Sequence, residues 1–255
     1  MSLQISVITA VLNQERTLGE TLASVRAQRW PGIEHIVVDG GSTDGSLAVI
    51  ERHRAGLAKV VCEPDRGLYD ALNKGLRHAS GDVVGFLHAD DTFASPRALQ
   101  QVAAAFEDPE VGAVYGDLVY VRRNDSSRVV RYWRAGRYQR EQLAHGWMPP
   151  HPTFYVRREL YARLGAFDTR YRIAADYESM LRILWHGRVR AAYIPEVLVR
   201  MRAGGLSNST LFNVFSKSRE DYAAMRQNGI GGLQALLLKN MTKLPQFVLR
   251  TAAAR

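Results

Sequence analysis

Ile33-Glu34-His35-Ile36-Val37-Val38-Asp39 runs directly into Gly40-Gly41-Ser42-Thr43-Asp44-Gly45. A short run rich in β-branched residues reads as a buried strand. The glycines behind it allow a tight turn and a close approach of backbone to a neighbour. Ser42, Thr43 and Asp44 offer caps for a helix that continues through Leu47 and Ile50. Strand, polar turn and helix in this order form the repeating unit of a parallel sheet. The turn is neither GxGxxG nor a P-loop, which needs Gly-Lys-Ser/Thr.

The unit recurs on both sides of this stretch. Residues 5–10 form an apolar strand, and residues 17–28 an amphipathic helix with Leu18, Leu22 and Val25 on one face. Pro31-Gly32 then breaks the pattern. Strands are expected at 58–62, 82–87 and 111–115, and helices at 69–79 and 96–106. The helix at 69–79 places Tyr69, Leu72, Leu76 and Ala79 inward. Strand and helix alternate through about 115 residues, which predicts a mostly parallel sheet with helices on both faces. Such sheets bind ligands at the carboxyl ends of their strands. Asn13, Asp39, Asp90 and Asp91 fall at those ends.

Beyond residue 117 the pattern loosens. Residues 119–123 and 128–133 read as a hairpin around Asn124-Asp125-Ser126-Ser127. Residues 147–152 read as an irregular loop, Arg158–Leu164 and 177–185 as short helices, and 203–209 as a flexible Gly/Ser/Asn-rich loop. No internal repeat or low-complexity tract interrupts the chain.

The 255 residues suit one large domain or two small ones. The single cysteine, Cys62, rules out an internal disulfide and is expected as a small buried hydrophobe. Residues 1–12 lack a basic leader, and no window holds the ~18 apolar residues of a membrane span, so a cytoplasmic location is expected. The net charge of +9 is uneven. Residues 1–120 hold 10 Lys/Arg against 16 Asp/Glu, whereas residues 121–172 hold 12 Arg against 4 acids. Acidic clusters hold metals and basic surface attracts phosphates. The acidic N-terminal half opposes binding to a nucleic-acid backbone, and no nucleic-acid partner is expected.

Four groups carry candidate chemistry. His88-Ala89-Asp90-Asp91 ends an apolar strand. Two adjacent carboxylates there ask for a cation, and Mg²⁺ or Mn²⁺ takes such oxygen ligands; the alternative is a cap for the helix near Pro96. Asp39, before its glycines, can accept from a base N–H or merely close the turn. Residues 63–75 (EPDRGLYDALNKG) pack polar groups at a helix start, where Asp65 and Arg66 can line a cleft and Lys74 can reach a phosphate or lie on a solvated face. Ala175-Asp176-Tyr177-Glu178 precedes an apolar helix, so Asp176 is a helix cap or a base. His151, flanked by Pro150 and Pro152, is structural or a contact for an acceptor or diphosphate.

Together these motifs, with Ser6-Val7-Ile8-Thr9-Ala10-Val11-Leu12-Asn13 at the start and Ile173-Ala174-Ala175-Asp176-Tyr177 at the far end, resemble the inverting family-2 glycosyltransferases of the GT-A type. Their order and spacing cover roughly residues 4–200. Tyr69 and Asn73-Lys74-Gly75 resemble the subgroup that builds exopolysaccharide, capsule or O-antigen. The resemblance implies a Rossmann-like α/β fold: a donor-binding half at 1–117, an acceptor-binding and catalytic-base half at 118–210, and a basic helical tail at 211–255. It implies that Thr9, Val11, Asn13, Asp39 and Asp65 surround a UDP- or GDP-linked sugar, that Asp90 faces the ribose, that Asp91 is the Mn²⁺ or Mg²⁺ ligand, and that Asp176 is the catalytic base. The motif departs from the family pattern in lacking an acid at position 88, so diphosphate oxygens and water must complete the metal shell. The implied acceptor is a glycan or a polyprenyl-pyrophosphate-linked glycan. The tail's Leu233, Leu236, Leu237, Leu238, Leu244, Phe247, Val248 and Leu249 alternate with Arg226, Lys239, Lys243 and Arg250. Such a segment can lie on an anionic membrane surface, placing the protein peripherally on the inner face of the cytoplasmic membrane, or pack on the domain.

Overall fold

The computed structural model describes residues 3–204, 211–232, 235, 236 and 239. The first half is built from β1 (Ile5–Val11), α1 (Leu18–Arg26), β2 (Ile33–Asp39), α2 (Ser46–Arg52), β3 (Lys59–Cys62), α3 (Leu68–His78) and β4 (Val83–Phe86). These strands lie in the order β3-β2-β1-β4, all parallel. Alternate side chains of a strand point to opposite faces. Ile8, Ala10, Ile36 and Val38 accordingly pack on Tyr69 and Leu72 of α3. Val11 and Val37 pack instead on Leu18 and Leu22 of α1 and Val49 and Ile50 of α2. Burial on both faces explains why these strands read as continuous apolar runs.

The second half adds β5 (Thr92–Phe93), α4 (Ala98–Ala105), β6 (Val111–Arg122), β7 (Asp125–Trp133), α5 (Arg140–Leu143), β8 (Tyr155–Arg157), α6 (Arg158–Leu164), α7 (Ala175–Leu181), β9 (Arg190–Arg202) and α8 (Leu211–Gln227). The sheet continues β4-β8-β6-β9-β5, with β7 paired to β6. β8 runs antiparallel to both β4 and β6, while β6 and β9 are parallel. The carboxyl ends of β1, β2, β4, β6 and β9 therefore face one pole. The fold is α/β, parallel in its first half and mixed beyond it.

The expected elements appear within a few residues of their predicted bounds, and the hairpin at 119–133 forms as β6 and β7. Three details differ. Cys62 is exposed, not buried, because β3 is the edge strand of the parallel half. The helix α2 starts at Ser46 with Gly45 as its cap, and Asp44 contributes by accepting from the Ser46 N–H at 2.9 Å. The irregular stretch at 147–152 ends in a short 3-10 turn, His151–Thr153. Most of the loop expected at 203–209 and most of the apolar tail beyond residue 232 lie outside the described residues. Among the described residues no helix is long and apolar enough to cross a membrane.

Candidate functional site

Two loops at the carboxyl ends of β1 and β2 are clasped together. Asn13 adopts a positive φ of 53°, a conformation Asn tolerates better than most residues. Its Oδ1 accepts the Thr43 N–H at 2.8 Å, and its own N–H donates to Ser42 Oγ at 2.9 Å. Asp39 is 1 % exposed; one carboxylate oxygen accepts the N–H groups of Gly41 (3.0 Å) and Ser42 (2.8 Å). The second oxygen, Oδ2, is buried without a hydrogen-bond partner. An orphaned buried acceptor at the carboxyl end of a strand is open to a hydrogen bond from a bound group. Val11, paired with Asp39, fixes the turn by accepting the Gly40 N–H at 2.9 Å.

Asp65 closes this corner. Its Oδ1 accepts the Gly67 N–H at 2.8 Å, and Oδ2 lies 1.9 Å from where a Cβ on Gly40 would stand. Only glycine lets the carboxylate lie flat on the β2 turn. Lys74 does not reach for a phosphate. It is 8 % exposed, donates to the Pro64 carbonyl at 2.6 Å and pairs with Glu63 at 3.1 Å, so it buttresses the loop that carries Asp65. Thr9 is fully buried, and its hydroxyl meets His35 Nε2 at 3.1 Å. Burial drives the His35 pKa down to about 3, so that imidazole is neutral.

Asp91 follows a tight turn closed by its own N–H on the His88 carbonyl at 3.0 Å. Its Oδ1 accepts the backbone N–H of Arg202, the last residue of β9, at 3.1 Å. Its Oδ2 is buried and unpartnered. Burial first, and then the charge of Asp90, push the Asp91 carboxyl well above its ordinary range, only partly offset by Arg202. A carboxylate in this state is short of a cation. Asp90 beside it is half-buried. Among the described residues no three His, Cys, Asp or Glu side chains converge as a ready-made metal cage.

Asp176 sits in the first turn of α7, preceded by Ala174 as cap, and has no side-chain capping bond. The expected alternative, a helix cap, is therefore not its role in this structure. Its Oδ1 receives Tyr69 Oη at 3.1 Å, and the same hydroxyl meets the Ile173 carbonyl at 2.7 Å. The loop before α7 is held from α8, where Glu220 accepts the N–H groups of Ile173 (2.8 Å) and Ala174 (3.0 Å). Burial raises the Asp176 pKa, but His151, Lys217, the Tyr177 N–H and Lys239 more than offset it and leave the carboxyl lowered. His151 is itself depressed to about 4, first by burial, so it is neutral near neutral pH and the lysines supply the charge there. His151 is 8 % exposed, with Nε2 unpartnered; it stacks on Phe86 and stands 5.5 Å, ring to ring, from His88.

Asn13, Asp39 and Asp65 thus form one corner at the ends of β1 and β2. The second group, at the end of β4, comprises Asp90, Asp91, His88 and His151, and the Asp176 carboxyl is within electrostatic reach of both His88 and His151. The Thr9 and Val11 side chains are buried and can serve only through the backbone. Sequence reading did not single out Tyr69 as a partner of Asp176, or Arg202, Glu220, Lys217 and Lys239 as supports. Tyr69 carried a signal, since a buried tyrosine needs a partner for its hydroxyl. The others act across the fold and left none.

The sequence matches Glycosyl transferase family 2 over residues 6–165. An uncharacterised glycosyltransferase of Mycobacterium tuberculosis is 38% identical over 184 residues, 70% of this chain and 68% of that one. A PGL/p-HBAD biosynthesis glycosyltransferase of Mycobacterium bovis is 30% identical over 217 residues, 83% of this chain and 82% of its own. Among solved structures, the mannosyltransferase PcManGT of Pyrobaculum calidifontis, in complex with GDP-Man and Mn²⁺, superposes with a TM-score of 0.69 at 24% identity, covering all of this chain (100%) and 75% of that one. Staphylococcus aureus TarS superposes at 0.66 and 20% identity, and the match covers 89% of this chain but only 39% of TarS. The alternating strands, the acidic turn after β4 and the matched residues lead to one assignment: the chain belongs to glycosyl transferase family 2 and is a glycosyltransferase of the GT-A fold.

Proposed function

We propose that the protein transfers a sugar from a UDP- or GDP-linked donor to a hydroxyl of a glycan or lipid-linked glycan, with inversion and with the help of Mn²⁺ or Mg²⁺. The observation that carries this reading is the pair of orphaned buried carboxylate oxygens, Asp39 Oδ2 and Asp91 Oδ2, at the ligand-binding pole of the sheet. The first suits a base N–H, and the second suits a cation. Solved relatives of the same fold are described with UDP-GlcNAc or with GDP-Man and Mn²⁺, which supports a nucleotide-sugar donor here.

In this reading Asn13, Asp39 and Asp65, with the backbone of Thr9 and Val11, hold the nucleoside, and Asp90 faces the ribose. Asp91 would hold the metal, which when bound would supply positive charge opposite the leaving diphosphate. Asp91 alone would make a sparse protein shell, leaving positions for diphosphate oxygens and water. Asp176, ionised and half-buried, takes the proton of the acceptor hydroxyl as that oxygen attacks the anomeric carbon. His151 lines the same cleft and contacts acceptor or diphosphate. A role in exopolysaccharide or lipopolysaccharide synthesis on the inner face of the cytoplasmic membrane fits the basic residues 121–172, which would meet anionic lipid or a polyprenyl-pyrophosphate acceptor.

The test is a thermal-shift and calorimetry panel of UDP, GDP and their sugars, with and without Mn²⁺, on the wild type and Asp91→Asn. Asparagine keeps an oxygen for the Arg202 N–H but removes the charge. One nucleotide should stabilise the wild type in the presence of Mn²⁺, by about 2.7 kcal/mol at a hundred times Kd, and the metal-dependent part should vanish in the variant. Wild-type metal dependence in Asp91→Asn removes the metal assignment. Silence across the whole panel removes the donor reading.

A further inference from the structure

Lys239 lies beyond the residues matched to the family, yet it is one of the most deeply buried charges in the chain, at 1 % exposure. Its ammonium stands 2.8 Å from Asp221 Oδ1 on α8 and 3.0 Å from the centre of the Tyr177 ring on α7. Asp221 and Tyr177 are 2 % and 1 % exposed, so the pair is sealed from water. The seat is shaped for it. Gly146 has a φ of 81°, and a Cβ there would meet Lys239 Cβ at 2.5 Å and the Ala235 carbonyl at 2.7 Å. Ala235 belongs to the same core cluster as Tyr177 and Met180 of α7. Burying an ammonium costs several kcal/mol unless it is well paired, and apolar residues of similar volume would often serve stability as well. A charge retained here points to a task beyond packing.

Tyr177 is the residue after Asp176. The lysine therefore presses on the back of the helical turn whose front presents the carboxylate. We propose that Lys239 is a positioning residue for Asp176: clamped between Asp221 and the Tyr177 ring, it seats the first turn of α7 and keeps the carboxylate ionised. This rests on Asp176 being the base of the proposed transfer. Among the described residues the groups facing Asp176 are His88 beyond β4, His151, Tyr69 of α3, Tyr120 of β6, Lys217 of α8 and Lys239, while Glu220 of α8 acts on Tyr69 and on the Ile173 and Ala174 N–H groups beside it. With both histidines lowered by burial and the tyrosines neutral, Lys217 and Lys239 are, among the described residues, the cations left to oppose the burial of the carboxylate near neutral pH.

The experiment titrates the full-length chain labelled with ¹³C at aspartate carboxyls, the Asp176 signal being assigned by its loss in Asp176→Asn. Lys239→Met should raise the Asp176 pKa by roughly 0.5–1 unit, the small end of what a neighbouring charge does, and Lys239→Arg should restore it. The acid limb of the pH profile for donor hydrolysis or transfer should move up by the same amount, with nucleotide affinity unchanged. Should Lys239→Met not fold, the paired variant Lys239→Met/Asp221→Leu removes both charges at similar volume and should show the same upward shift. An unmoved Asp176 titration in either folded protein overturns the proposal. Full turnover in Asp176→Asn would instead overturn the catalytic reading, leaving the Lys239 effect on the carboxyl measurable by itself.

Discussion

Replacing Gly40 by alanine should separate nucleotide binding from folding. Gly40 has an ordinary backbone angle, so alanine adds no strain there and gains about 0.4–1 kcal/mol by narrowing the unfolded ensemble. Its new methyl group would stand 1.9 Å from Asp65 Oδ2, whereas carbon and oxygen settle at about 3.3 Å. The carboxylate must then move by more than an ångström. Lys74 grips the Asp65 loop at Pro64, so the loop resists sliding and the side chain swings out, losing its bond to the Gly67 N–H. That contact is solvent-exposed, and its loss is placed at the low end for a charged hydrogen bond, about 1.5 kcal/mol. The net cost is about 1 kcal/mol, or a fall in Tm of roughly 2–4 °C for a domain of this size. Donor binding suffers separately. Withdrawal of one charge-assisted contact should weaken it by roughly 10–100-fold, or about 1.5–3 kcal/mol. Isothermal calorimetry with the nucleotide found in the panel, alongside thermal melts, reads both quantities. Wild-type affinity in Gly40→Ala would refute the placement of Asp65 against the donor.

Three further outcomes are expected. Asp176→Asn should bind donor normally while turnover falls by roughly two to four orders of magnitude, the usual worth of a general base; steady-state kinetics with a saturating acceptor would check it. Tyr69→Phe leaves the Ile173 carbonyl and Asp176 Oδ1 without their shared donor, so kcat should fall by roughly tenfold at a stability cost of about 1 kcal/mol; an unchanged kcat would show that the hydroxyl only anchors the loop. His35 has a folded pKa of about 3 against an ordinary 6.5, so the folded state binds its proton less readily than the unfolded one. Stability from this group is complete above pH 6.5 and is lost as the pH falls toward 3, at about 1.4 kcal/mol per pH unit. Denaturant melts of His35→Gln between pH 7 and 5 should therefore show a shallower acid decline than the wild type.

The N-terminal half was legible because its signals are local. Strands buried on both faces appear as Val/Ile runs, and their end loops bond to one another within about thirty positions, as Asn13 does to Thr43. β9 was missed for a physical reason. Its sequence contains Pro195, which usually argues against an interior strand, yet the proline falls in a bulge: Gly116 pairs with Ile194 and the next residue, Asp117, with Val197. β8 and β5 are too short, at three and two residues, to show any period. Lys74 was misjudged because nothing local shows that the Pro64 carbonyl folds back onto it. Cys62 was misjudged because an apolar run does not say whether its strand will lie at an edge. The carboxylates at strand ends could be named in advance. Their supports on β9 and α8 could not, since Asp91 meets Arg202 across 111 positions and Glu220 of α8 holds the Ile173 N–H ahead of Asp176 across 47.

The place of β9 bears on how the chain is made. β5 follows the Asp90–Asp91 turn immediately, but among the described residues its strand partner is β9, with Thr92 opposite Arg200. A nascent chain can assemble β1 to β4 once β4 has emerged, since the β1–β2, β2–β3 and β1–β4 pairings all lie within that stretch. Asp91 must wait, because the N–H that orients it belongs to Arg202. Loop-closure entropy is spent before such distant contacts return anything, so the acidic turn is expected among the last parts to settle. A ribosome-stalled or truncated chain ending before residue 190 would carry the clasped Asn13–Asp39 corner without a finished acidic turn, and the cell would meet a partly folded chain with an open sheet edge.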